Sequence, residues 1–128
     1  MPRVVHFETP AEDPERAAKF YADVFGWQTQ KWEGPEDYWL IRTGEQGPGI
    51  DGAFMKPCAE GGFAPRTPVC TIDVPSVDEA LAKIEASGGK VVMPRMEVPG
   101  VGFLAYFADT EGVISGIMQF APKAPAAS

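Results

Sequence analysis

The chain has one histidine, His6, and two cysteines, Cys58 and Cys70, in 128 residues. Catalytic zinc and iron sites usually draw on about three protein side chains, with imidazole prominent among them. One histidine leaves little for a tightly held transition metal. Nucleophilic catalysis of the serine or cysteine type fails on the same inventory, because the lone imidazole would have to serve Cys58 or Cys70 and neither stands in a nucleophile context. Two cysteines behind a start without the basic, apolar, small-residue order of a secretion signal predict reduced thiols and a cytoplasmic location. Spacing leaves open whether the two could bridge. Cys58 falls in a loop and is expected to react readily, whereas Cys70, beside Val69 and Ile72 on a strand, is expected to be protected.

Cations are also scarce: 11 Lys and Arg stand against 18 Asp and Glu, for a formal net charge of −7. Phosphate binding needs a cationic surface, and no basic stripe exists here, so nucleic acid is excluded as a partner. No apolar run approaches the roughly 18 residues that cross a bilayer, and no helical segment carries the Lys/Arg-rich face of a membrane-surface helix. The expected partner is a small molecule.

What is present suffices for one domain with its own core, since 45% of the side chains are hydrophobic. Ala17, Phe20, Tyr21, Val24 and Phe25 share one helical stripe, with Asp13 as N-cap, Pro14 at the first position and Gly26 past the end, which predicts a helix over 14–25. Ser76 with Glu79 forms a capping box for a second helix over 77–87, whose stripe is Val77, Ala80, Leu81 and Ile84. Runs of β type precede each helix at 4–8 and 69–74. Others follow at 27–32, 38–43 and 52–56, and again at 90–93, 103–107 and 113–120. The order is strand, helix, three strands, given twice, and the helix-ending glycines Gly26 and Gly89 lie 63 positions apart, near half the chain. This predicts an α+β fold of two tandem βαβββ modules, about 3–57 and 68–120, in one domain over 1–120. A βαβαβ parallel sheet is the weaker alternative. The connection 57–68 is rich in Gly, Pro and Ala, and the tail 121–128 is expected to be frayed.

Certain local motifs carry a family likeness. The stretch His6-Phe7-Glu8-Thr9-Pro10, then Asp13-Pro14-Glu15-Arg16-Ala17-Ala18-Lys19-Phe20-Tyr21 and Phe25-Gly26-Trp27, resembles the opening module of the vicinal-oxygen-chelate superfamily, which holds glyoxalases, bleomycin-resistance proteins and extradiol dioxygenases. Asp73-Val74, Gly88-Gly89-Lys90-Val91-Val92, Pro99-Gly100-Val101-Gly102 and Asp109-Thr110-Glu111-Gly112 resemble its second module, on a branch related to lactoylglutathione lyase. The resemblance implies curled sheets around a cleft, often flanked by a second copy. It also implies a metal held by a histidine early in module one, a carboxylate late in that module, a histidine on the first strand of module two and a glutamate on the last strand. His6 matches the first of these. Val69 and Gly116 stand at the two module-two positions, and Asp51 is the carboxylate nearest the remaining one.

Along the first strand Val5 and Phe7 alternate with His6 and Glu8, so an imidazole and a carboxylate share one face. They read either as a ligand-contacting pair or as a hydrogen-bonded buried pair. Of Tyr38 and Trp39, alternation turns one to the cleft and one to the helix. Phe54, Met55, Met93, Met96 and Met118 can line a cavity or fill core gaps. Gln119 falls opposite Gly116 and makes a poor replacement ligand. The Pro99-Gly100-Val101-Gly102 run suits a tight turn; it leads into a strand and so is no phosphate loop.

The expected cleft residues are therefore His6, Glu8, Tyr38, Trp39 and Asp51, with His6 the one candidate metal ligand and no cofactor required. The leading expectation is a homodimer binding a small organic molecule, with metal-independent chemistry or none; whether it is an enzyme stays open. The alternatives are a metal-dependent lyase or dioxygenase, with His6 and Asp51 or Glu8 holding the ion, and a protein that sequesters a cationic antibiotic in an acidic cleft.

Overall fold

Residues 2–33, 38–56 and 67–121 are described by the computed structural model of the chain. The elements run β1 (Val4–Pro10), α1 (Pro14–Phe25), β2 (Gln28–Lys31), β3 (Tyr38–Arg42), β4 (Gly52–Met55), β5 (Val69–Asp73), α2 (Val77–Ala86), β6 (Lys90–Val98), β7 (Gly102–Ala108) and β8 (Ile114–Phe120). The order is βαβββ twice, as the sequence predicts, and the fold is α+β. Neighbouring strands β2, β3 and β4 pair antiparallel, as do β6, β7 and β8, which removes the βαβαβ alternative. Among the described residues no helix is long and apolar enough to cross a membrane.

Contacts gather into two units, Val4–Thr71 and the residues from Ile72 onward joined by the N-terminal Met1–Arg3. In the first unit the strands lie in the order β2-β3-β4-β1, with β1 parallel to β4. Asp13 accepts from the Arg16 amide at 3.1 Å to start α1, and Gly26, at φ 74°, ends it with its N–H on Ala22 O. That left-handed turn is why the position takes glycine. The core holds Ala18, Trp39, Ile41 and Phe54, with Phe7, Ala17, Tyr21 and Trp27 packed against it. Phe54 is fully buried, so it belongs to the core.

The apolar stripe of α1 is only partly used. Ala17, Ala18 and Tyr21 pack inward, whereas Phe20, Val24 and Phe25 remain 56%, 55% and 61% exposed. Helical period reports which side chains share a face, and here the strands cover only part of that face.

In the second unit β8-β7-β6 form an antiparallel meander under α2. Val74, Val77, Ala105 and Ile117 form its core, with Ile72, Leu81, Ile84, Phe103 and Phe107 around them. Ser76 Oγ accepts from the Glu79 amide at 3.2 Å, the capping interaction the sequence signals. Gln119 Oε1 accepts from the Val77 amide at 3.0 Å, so Gln119 is a helix cap supplied from the last strand. Strand β6 runs five residues past its expected end at Met93, through Pro94, with register shifts on both sides of Met93. It ends the strand order, and an edge strand tolerates a residue with no N–H to donate. The Pro99–Gly102 run turns the β6–β7 hairpin through Val101 N to Val98 O at 2.9 Å. Gly102 sits at φ 148°, and a Cβ there would run into the carbonyl of Gln119.

One expectation is overturned on β5. Cys70 is exposed, because alternation turns Val69 and Thr71 to the buried side and Cys70 to the other. Cys58 lies outside the described residues, as do 57–66 of the connection and 122–128 of the tail.

Candidate functional site

Strand β1 turns Phe7 toward α1 and leaves His6 and Glu8 on the opposite face. On β3 the same alternation sends Trp39 and Ile41 into the helix-covered core and leaves Tyr38, Leu40 and Arg42 on the other side. Between these strands lies β4, where Ala53 is the partner of both Glu8 and Leu40. A methyl group there leaves room for long side chains from β1 and β3 to meet. His6 Nε2 and the Tyr38 hydroxyl lie 2.9 Å apart, a hydrogen bond between residues 32 apart in sequence. It can run either way, with the phenol donating to a bare Nε2 or a protonated Nε2 donating to the phenol oxygen.

Burial pulls the His6 pKa below its ordinary 6.5, and the nearby Asp51 charge opposes that shift in part. Desolvation is the larger effect, so His6 is a neutral imidazole at pH 7. Trp32 joins the pair from the end of β2. Its ring stands edge-on to Tyr38 with centroids 6.0 Å apart, and its amide donates to Tyr38 O at 2.8 Å. Leu40, 39% exposed, continues the apolar surface. An imidazole–phenol pair flanked by an indole and a leucine can anchor one polar atom of a small molecule while covering its apolar part.

Of the five expected cleft residues, His6 and Tyr38 are brought together. Glu8 shares their face but is only 4% exposed, and no buried side-chain polar atom among the described residues lacks a hydrogen-bond partner. Its carboxylate is thus already engaged. Asp51 is exposed, and its Oδ1 accepts from the Thr43 amide at 2.9 Å while the Thr43 hydroxyl donates to Ile50 O at 2.7 Å. It clasps the β3–β4 loop and acts on His6 through its charge. Trp39 departs from the expected set: it is 8% exposed in the core cluster, with the Lys31 and Lys56 ammonium groups 5.5 and 6.0 Å from its ring centre. Trp32 is the residue that the sequence reading left out. Its signal is the β2–β3 register, in which Lys31 faces Trp39 and the next position faces Tyr38.

A divalent transition metal does not fit these donors. Among the described residues no three His, Cys, Asp or Glu side chains converge. His6 Nε2 is engaged by Tyr38 and Asp51 Oδ1 by Thr43. Val69 is an apolar side chain 1% exposed, and Gly116 has no side chain at all.

The described residues of the first unit bound a larger and a smaller hollow. The larger, about 490 Å³, lies beside the first half of α1 and is bounded by Thr9 to Asp13, Arg16, Ala17, Phe20, Tyr21 and Phe54. The smaller, about 160 Å³, lies inside the loop from Thr43 to Asp51. Neither encloses His6, so the larger hollow and the polar pair are separate features.

Similarity to known proteins is spread over the chain. CFP32 of Mycobacterium bovis, whose name marks its glyoxylase assignment as provisional, is 27% identical over 118 residues, covering 91% of this chain and 43% of CFP32. The anthracycline biosynthesis protein DnrV of Streptomyces peucetius is 27% identical over 124 residues, covering 88% of this chain and 45% of DnrV. This chain therefore spans less than half the length of the curated relatives it matches. Methylmalonyl-CoA epimerase from Mycobacterium tuberculosis shares the fold with a TM-score of 0.71 at 18% identity, over 94% of this chain and 89% of the epimerase. The sequence model of the Glyoxalase/Bleomycin resistance protein/Dioxygenase superfamily matches residues 3–114, most of the chain and both βαβββ repeats up to the start of β8, and the chain belongs to that superfamily.

Proposed function

We propose that this chain binds a small, partly apolar organic molecule on the strand face that carries His6 and Tyr38, and does so without a resident metal. The observation that carries the reading is the His6–Tyr38 hydrogen bond, a half-buried polar pair on a face whose other described neighbours include Trp32 and Leu40. A neutral imidazole against a phenol offers both an acceptor and a donor to a ligand carbonyl or hydroxyl. The same pair can take up and return one proton, which is the chemistry open to it without Lewis-acid help. The names of the relatives span anthracycline biosynthesis and epimerisation of methylmalonyl-CoA, so membership alone selects no ligand.

The test has two parts, run on protein purified without chelator or affinity metal. Elemental analysis should find no stoichiometric zinc, iron, manganese or nickel. Near-stoichiometric metal that His6→Ala abolishes would replace this reading with a metal-dependent lyase or dioxygenase. A panel of aromatic and carbonyl compounds, followed by tryptophan fluorescence and thermal shift, should give ligands whose affinity falls about tenfold in Tyr38→Phe. Ligands that bind equally well to wild type, Tyr38→Phe and His6→Ala place binding elsewhere and refute the reading.

A further inference from the structure

We infer that the ligand is an elongated organic acid, lying along β2 and β3 with an aromatic or apolar head on Trp32 and a carboxylate on Arg42. This rests on the proposed binding face and adds to it a ligand class and the residue that selects it. In the antiparallel register Gln28 stands opposite Arg42 and Gln30 opposite Leu40, and the Trp32 amide bonds Tyr38 O at 2.8 Å. Opposed positions share a face, so these six side chains form three rungs on the side away from Trp39 and Ile41.

The rungs change character along the strands. The first is aromatic, with the Trp32 ring edge-on to Tyr38. The second sets an exposed leucine beside an exposed amide, and the third pairs an exposed amide with an exposed guanidinium. Successive rungs lie two residues apart, so the first and third are separated by about 13 Å. The neighbouring part of the same face is closed, since Ala53 on β4 and Glu8 on β1 are 0% and 4% exposed. An extended molecule therefore has the β2–β3 ladder to lie on, with its head at the aromatic rung and its far end at Arg42.

Charge decides the class. The chain carries a net charge of −7, yet among the described residues Arg42 is the one Lys or Arg on this face of β1 to β4. Lys31 and Lys56 lie by the Trp39 ring on the helix side. A lone guanidinium at the end of an apolar strip suits a carboxylate, which its planar fork can hold through two N–H groups. A carboxylate already stands there: Arg42 Nη2 donates to Glu45 Oε1 at 2.5 Å. That pair is open to solvent, with side chains 58% and 76% exposed, and such pairs are weak. A ligand whose head is held on Trp32 and Leu40 presents its own carboxylate at high effective concentration and displaces Glu45. Asp51 Oδ1 stays on the Thr43 amide, away from this exchange.

Isothermal titration of the full chain with ω-benzoylalkanoates of rising chain length tests the class, the ketone beside the ring being placed to meet the Tyr38 hydroxyl. Wild type should bind best the acid whose ring and carboxylate stand about 13 Å apart. The methyl ester of that acid should bind about tenfold less tightly. Arg42→Gln should abolish the preference for acid and leave ester affinity unchanged, and Arg42→Lys should recover part of it. Glu45→Gln should tighten acid binding about two- to threefold by removing the internal competitor, whereas a merely structural ion pair would make both variants weaken binding alike. Both positions are exposed, so the variants keep the fold. Tyr38→Phe should weaken acid and ester equally. Equal wild-type affinity for acid and ester, an acid preference that survives Arg42→Gln, or no acid bound at millimolar concentration overturns the acid class alone. Affinities indifferent to Tyr38→Phe overturn the face on which it rests.

Discussion

Replacing Tyr38 by phenylalanine removes one hydroxyl and leaves the ring, so the edge-on contact with Trp32 at 6.0 Å survives while the bond to His6 Nε2 is lost. The imidazole is then left half-buried with one nitrogen unpartnered. Leaving a buried polar group unsatisfied costs about 1 to 3 kcal/mol, and partial exposure lets water recover some of that, which puts the expected loss at about 1 to 2 kcal/mol. In urea, with a slope of about 2 kcal/mol per molar for a domain of this size, the midpoint should fall by about 0.5 to 1 M with the slope unchanged. The measurement belongs at pH 8, where His6 is neutral folded and unfolded, so that titration does not mix with the lost bond. A midpoint within about 0.1 M of wild type would show that the hydroxyl and the imidazole are not bonded to each other in solution.

Acidification is expected to weaken the fold through His6. Its folded pKa lies below the ordinary 6.5 because burial disfavours the charged ring, so the unfolded chain binds the proton first. Stability should be full above pH 6.5 and decline as pH falls from there toward the lowered folded value. His6→Gln should remove that component, and a wild-type curve parallel to the variant between pH 7 and 5 would contradict it. Trp39→Ala should destabilise by about 3 kcal/mol or more, as a core truncation, and Trp32→Ala by about 1 kcal/mol, in chemical denaturation; the reverse order would exchange their roles. Gln119→Ala should cost about 1 kcal/mol by uncapping α2, with increased amide exchange at Val77; unaltered exchange would remove Gln119 from the cap. Cys70 should react with a thiol reagent in native protein at nearly the rate of an unfolded control, and protection until denaturation would contradict its exposed placement.

Both helices are legible in the sequence because their signals are local. Asp13, Pro14 and Gly26 act within a few residues of one another, as do Ser76 and Glu79, and the strand alternation that separates His6 from Phe7 needs no information from elsewhere. The His6–Tyr38 bond is not local, since it depends on β4 standing between two strands 32 residues apart and on Ala53 being small enough to let side chains meet over it. Alternation limits Tyr38 and Trp39 to opposite faces, and only the packing of α1 shows which of the two goes to the core. The extension of β6 through Pro94 was hidden because proline reads as a strand stop, and only edge position makes it tolerable. The exposure of Phe20, Val24 and Phe25 was equally hidden. A helical period names the residues on a face and says nothing of how much sheet lies under it.

The Val77–Gln119 bond has a consequence for how the second unit forms during synthesis. It joins residues 42 apart, and Val74 N likewise bonds Met118 O at 2.9 Å, so both ends of the turn into α2 are held by the last strand. While β8 is still missing, the Val77 amide at the start of α2 lacks its partner, and Val74 and Val77 have no Ile117 to pack against. The seven residues of β8 thus act as a latch whose arrival converts a loose helix–strand pair into a cooperative body. A nascent chain released before Gln119 would hold its apolar helix face and unpaired strand edges open to other chains, the condition in which aggregation competes with folding.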